Sequence, residues 1–196
     1  MSLVDRAKGI LLAPKNEWAV IDTEPATVGS IYSGYVIPLS AIPAIASFVG
    51  MSVVGLSFLG LRYQIPMGTG LTAALVRYVL GLVGVYVLAL IIDALAPSFG
   101  GQKSQIQALK VSAYASTASW IAGIFMIIPS LGIIAALGGL YSLYLLFLGL
   151  PSVMKAPQDK ALGYTIVVIL VAIVVYVVIG FVVGKVAPYP MTGLTP

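Results

Sequence analysis

No charged side chain occurs between Lys110 and Lys155, and the run from Val111 to Met154 is broken near its centre by Pro129-Ser130-Leu131-Gly132. A helix rises about 1.5 Å per residue and the hydrocarbon core of a bilayer is about 30 Å thick, so each half of this run can cross a membrane once. Proline ends one helix and glycine permits a sharp turn, which makes the run a helical hairpin in lipid. The rest of the chain agrees, because 60% apolar against 8% charged residues leaves too little polar surface for a globular protein in water. The expected fold is all-α: a polytopic membrane bundle with five transmembrane helices and a short amphipathic N-terminal helix. Its parts are a cytoplasmic amphipathic and interfacial segment (1–24), the membrane domain (25–187) and a short tail (188–196).

At the N-terminus, Ser2 and Asp5 form a helix-start signal, and Leu3, Val4, Ala7, Ile10 and Leu11 share a face opposite Asp5, Arg6 and Lys8. This helix is either a membrane-surface or partner-binding element, or a helix packed on the protein's own spans. It lacks an uninterrupted apolar core and so is not a cleavable signal peptide. In Pro14-Lys15-Asn16-Glu17-Trp18-Ala19-Val20-Ile21 the indole of Trp18 suits the headgroup layer, where one end is apolar and the other wet.

Pro25 is expected to open the next helix, which is uncharged as far as Leu61 and bends at Pro38 and Pro43. Each proline removes a backbone donor, and the bends serve either as a hinge lining a cavity or as static kinks. The second span, from about Leu71 to Leu95, carries Arg77 and Asp93 near opposite ends. They lie about 24 Å apart along a helix and cannot pair with each other. Arg77 snorkels to the outer interface or has a buried partner; Asp93 sits at the inner interface or pairs with Lys103 or Lys110.

Ser104 with Gln107 reads as a capping box ahead of the third span, which enters the bilayer at about Lys110. Ser112, Ser116, Ser119 and Gly123 then form a stripe of small residues, answered in the fourth span by Gly132, Ala135, Ala136 and Gly139 before the bulky Tyr141, Tyr144 and Phe147. Such stripes let helices approach closely in lipid; the alternative is a polar permeation path. Pro151 ends the fourth span, and Ala161 to Gly184 forms a lipid-exposed fifth, on which Gly180 and Gly184 offer a face to a neighbour or a second copy.

Basic residues set the orientation. With the N-terminus inside, the inner regions hold Arg6, Lys8, Lys15, Lys103, Lys110, Lys155 and Lys160, and the outer ones hold Arg62 and Lys185. That asymmetry predicts N-in, C-out. It also accounts for the net charge of +4 without a nucleic-acid partner. The chain has neither cysteine nor histidine, which removes thiolate chemistry and the commonest metal ligand and acid-base group. No paired carboxylates fall at membrane depth, and a nucleophile at Ser116 or Ser119 would lack a base. A non-enzymatic protein without cofactor or metal is expected.

Taken together, four motifs resemble the Yip-domain family of five-span membrane proteins, whose eukaryotic members are Rab-interacting proteins of the early secretory pathway. They are Pro14 to Ile21; Lys110-Val111-Ser112-Ala113-Tyr114-Ala115-Ser116; the Pro129 to Gly132 turn; and the segment from Tyr141 through Tyr144 and Gly149 to Pro151. The chain lacks the Asp-Leu-Tyr-Gly-Pro motif that precedes the spans in the eukaryotic branch. The resemblance therefore implies a prokaryotic inner-membrane member. The residues singled out, Glu17, Trp18, Lys110 and Tyr114 among them, gather at the inner face. This predicts a scaffold or adaptor that meets membrane lipids, a cytoplasmic or membrane protein partner, or a second copy; the alternative is a small-molecule or ion transporter or channel, for which Pro38, Pro43, Arg77, Asp93 and the serine stripe speak.

Overall fold

In the computed structural model, which describes residues 2–58, 61–188 and 194–195, the apolar runs are helical, and Gly55, Gly100 and Pro129 lie where helices end or change pitch. Two short helices, α1 (Leu3–Leu12) and α2 (Pro14–Thr23), precede a continuous helical stretch from Val28 to Val54. That stretch contains α3 (Val28–Ile31), a π-helical turn (Tyr32–Val36), α4 (Ile37–Val49) and a second π-helical turn (Gly50–Val54). A small antiparallel hairpin, β1 (Leu56–Phe58) and β2 (Leu61–Tyr63), leads into α5 (Met67–Leu95). Then come α6 (Gln105–Ala115), α7 (Thr117–Ala122), α8 (Gly132–Val153) and α9 (Gln158–Val186). Near the C-terminus β3 (Leu194–Thr195) returns to pair with β2. The tail's Tyr189 lies outside the described residues.

Several helix ends follow the local chemistry. The Ser2 hydroxyl accepts the Asp5 N–H and caps α1, as its spacing predicts. The first long helix starts at a Thr27/Ser30 capping box rather than at Pro25, because two reciprocal side-chain bonds satisfy N–H groups that proline would leave open. It stops at Gly55, whose φ of 77° only glycine adopts without strain, so this helix ends short of Leu61. The capping box expected at Ser104 does not form: Gln107 reaches Asp22 instead. Pro151 sits inside the last turns of α8, which runs on to Val153.

Among the described residues, four helices are long and apolar enough to cross a bilayer: Val28–Val54, Met67–Phe99, Pro129–Val153 and Gln158–Val186. The third expected span is not one helix. It breaks at Ser116 between α6 and α7 and tightens to 3₁₀ geometry at Gly123–Ile127. The cause is local, since Ser116 Oγ donates to Ser112 O (2.8 Å) and Thr117 Oγ1 to Tyr114 O (2.7 Å), two adjacent hydroxyls competing for helix carbonyls. The turn at Pro129–Leu131 forms as expected. Ala122 then faces Gly138 and Ser119 faces Ser142, so α7 and α8 run antiparallel.

Both N-terminal helices belong to the core. Ile10, Trp18 and Ile21 are buried together with Ile92 of α5, Leu145 and Leu150 of α8 and Tyr164 of α9. Of the two readings of α1, packing on the protein's own spans is the one observed. Its buried face is Arg6, Ala7 and Ile10, while Val4 lies outside, so the face differs from the purely apolar one expected.

Candidate functional site at the N-terminal end of the bundle

The polar residues of the first 24 positions converge on the start of α6. Arg6 is only 4% exposed. Its guanidinium donates to Glu17 (2.5 Å) and to Glu24, and stacks 5.6 Å above the ring of Tyr114. A buried cation is tolerable only when paired and hydrogen-bonded, and two carboxylates with one aromatic face meet that need. Lys110, also buried, donates to Ile21 O (2.8 Å) and Glu24 O (2.6 Å), where α2 ends and its carbonyls lack helical partners. Burial pulls the Lys110 ammonium below the usual lysine range, with the carboxylates of Asp22 and Glu24 opposing that shift. Gln107 donates to Asp22 O (3.0 Å), and Lys155 forms an ion pair with the Asp22 carboxylate.

Trp18 is turned into the bundle rather than outward. Its ring is 1% exposed and lies against Gly149 of α8, where a Cβ would come within 2.7 Å of the indole. The apolar body of the indole is worth more in this slot than at a wet surface. Its Nε1–H has no hydrogen-bond partner. Tyr141 ties α8 to the end of α1 by donating to Leu11 O (2.7 Å), and exposed Tyr144 packs 5.6 Å from Tyr141. Tyr114 meets Tyr35 edge-on at 4.7 Å, and the Tyr35 hydroxyl is 2.7 Å from Thr117 Oγ1. Glu17, Trp18, Lys110, Tyr114 and Tyr141 are thus brought together.

Pro38, Pro43, Arg77 and Asp93 are not. Pro38 stands in the first turn of α4 after the π-helical turn, and the Tyr78 hydroxyl donates to the neighbouring Ile37 O (3.0 Å). Pro43 packs on Gly123, where a Cβ would lie 2.5 Å from the proline ring. Arg77 is exposed on α5 and lines a small cleft with Ser47 and Ser52. Asp93 is buried and pairs with neither lysine proposed for it, because Lys110 is turned to α2; its Oδ1 has no hydrogen-bond partner. The serine stripe also divides. Ser112 donates to Val85 O of α5 (2.8 Å), Ser116 bonds back within its own helix, and Ser119 meets Ser142 of α8 (2.7 Å). In α8 the close approach is at Gly138, against Ala118 and Ala122, whereas Gly132 and Gly139 have open space.

Sequence reasoning missed Arg6, Asp22, Glu24, Gly138 and Ser142. One signal was present: four of the chain's six carboxylates, Asp5, Glu17, Asp22 and Glu24, fall within the first 24 residues, beside Arg6, Lys8 and Lys15.

The architecture can be set beside known proteins. The sequence matches the Yip1 domain over residues 8–179. It is 28% identical over 161 residues to inner membrane protein YohC of Escherichia coli K12, covering 80% of this chain and 83% of that protein, and equally to YohC of Escherichia coli O6:H1. No solved structure matches. The matched span runs from α1 through most of α9 and takes in all four motifs on which the resemblance rested, so this chain belongs to the Yip1 domain family.

Proposed function

We propose that the protein is a non-enzymatic scaffold or adaptor of the prokaryotic inner membrane, with five crossings, that offers a rigid platform built from α1 and α2. The observation that carries this reading is the Arg6, Glu17, Glu24 and Lys110 network, which fixes two short helices to the bundle while Val4, Leu12 and Val20 stay on their outer face. Leu12 is 83% exposed, an apolar anchor of the kind a partner covers. The fifth crossing in this reading is residues 111–127, an interrupted helix enclosed by the bundle as far as Gly123, where protein can satisfy a broken backbone. The inner-membrane name of YohC and the distribution of lysines and arginines support an inner-membrane placement with N-in, C-out orientation.

Two measurements test this. A periplasmic reporter fused after Pro196 is expected to be active, and the same reporter inserted within residues 155–160 silent; the reverse pattern would overturn the orientation. For the platform, mass spectrometry of what co-purifies in mild detergent would compare the full-length protein with Leu12→Glu/Val20→Glu. These positions are exposed, so the bundle stays folded while the outer face is altered. A specific protein companion is expected with the wild type and not with the variant. A transport reading draws on one observation, the partnerless Oδ1 of buried Asp93, and would be favoured by a solute flux that Asp93→Asn abolishes.

A further inference from the structure

Between α1, the loop before α3 and the face of Tyr114 lies a cleft of about 460 Å³ whose walls carry charges of both signs. Arg6 forms the deep wall, and Glu24, with 41% of its side chain exposed, stands at the rim. Ser30, Gly34 and Tyr35 close the side formed by the first turns of the Val28–Val54 helix, where a helix that crosses a bilayer meets the lipid headgroups. We propose that this cleft binds the headgroup of an aminophospholipid, its ammonium on Glu24 and its phosphate on Arg6.

The charge pattern selects this class. The two charged groups that line the cleft, Arg6 and Glu24, sum to zero, and Glu17 behind Arg6 adds one negative charge, so an anionic headgroup meets two carboxylates and a simple cation meets the guanidinium. A zwitterion instead inserts into the Arg6–Glu24 pair and replaces one ion pair with two, leaving the net charge of the cleft unchanged. Arg6 stays anchored meanwhile by Glu17 and by the Tyr114 ring. A guanidinium has five N–H groups, of which these two carboxylates take two, so a phosphate finds further donors. A primary ammonium donates to Glu24 directly, whereas the quaternary nitrogen of choline has no N–H to give. Gly34 leaves room for the glycerol backbone, since a Cβ there would meet nothing within 4 Å. The proposal goes beyond the scaffold reading and needs only that this end of the bundle meet a bilayer surface.

Native mass spectrometry of the full-length protein in detergent, titrated with dioleoyl phosphatidylethanolamine, phosphatidylglycerol and phosphatidylcholine, tests it. The expected result is one ethanolamine lipid held about tenfold more tightly than either competitor. Glu24→Gln removes the ammonium site, and Gly34→Leu adds bulk to the cleft wall at a position where a Cβ meets no atom within 4 Å. Both variants should lose the preference while staying folded in lipid-free detergent, Gly34→Leu with the wild-type unfolding temperature and Glu24→Gln with a lower one, because Arg6 then keeps only Glu17 as a carboxylate partner. Equal affinity for the three lipids, tighter binding of the glycerol lipid, or a preference that survives in either folded variant would overturn the assignment. So would binding of water-soluble glycerophosphoethanolamine as tight as that of the intact lipid, since the site would then take a solute.

Discussion

Residues 105–127 and α9 are both apolar through their centres, yet one is broken and, from Ala108 to Gly123, enclosed, while the other is unbroken and peripheral. The enclosed segment is tied on every side. Lys110 reaches α2, Ser112 reaches α5, Thr117 meets Tyr35, Ser119 meets α8, and Gly123 packs on Pro43. Helix α9 makes its buried contacts mainly near its start, through Tyr164, Thr165 and Val168, and then exposes Leu170, Ile173, Val174, Val177 and Phe181. Only 11% of its most apolar window is buried, against 39% for Val28–Val54. Both segments are apolar; backbone continuity decides which of them can face lipid. A helix with every backbone bond made can stand in lipid, whereas one interrupted by hydroxyls and glycine must be surrounded by groups that complete its hydrogen bonds.

The comparison is sharpened most strongly at Arg6, which braces the enclosed segment through Tyr114. Arg6→Met leaves Glu17 buried without its cation and is expected to cost about 3–5 kcal/mol, read as a lower midpoint of thermal unfolding in detergent. Arg6→Met/Glu17→Leu should recover much of that loss, because the orphaned carboxylate is gone. A smaller effect is expected where α7 meets α8. Gly138→Leu drives a side chain into Ala118 and Ala122, costing about 1–3 kcal/mol, while Gly184→Leu on α9 enters open space and leaves the midpoint unchanged. Equal destabilisation by the two leucines would break the contrast between the segments. Smallest is Ser142→Ala. The Ser142 hydroxyl accepts the Ser119 N–H (2.9 Å), one of the donors that the break at Ser116 leaves without a helical partner, so its loss should cost about 0.6–2 kcal/mol. Faster hydrogen exchange at the Ser119 amide is the signature to look for.

Much of the framework was legible in the chain. The apolar runs, the cap at Ser2, the Pro129–Leu131 turn and the Gly100–Gly101 stop after α5 all follow from local chemistry; at that stop Gly100 N–H donates to Pro97 O and Gly101 N–H to Ala96 O. The serine stripe was less legible for a definite reason. Its spacing assumes one unbroken helix, and the break at Ser116 changes the phase, so residues on its two sides face different neighbours. The same sensitivity separates Gly138 from Gly139, since one position turns a helical residue by about 100°. Arg6 escaped because an amphipathic pattern assigns every charge to the solvent side and cannot see two carboxylates arriving from α2 and the residue after it.

By itself, then, the sequence determined that this chain forms a membrane helical bundle and placed the cap at Ser2 and the turn at Pro129–Leu131, because those outcomes depend on hydropathy and on groups within four residues of one another. Only the tertiary structure decided which segment is enclosed, which glycines carry close contacts, and that the N-terminal charges are buried and paired. Those depend on side chains meeting across as many as 133 positions, as Lys155 and Asp22 do, and no local pattern encodes that distance.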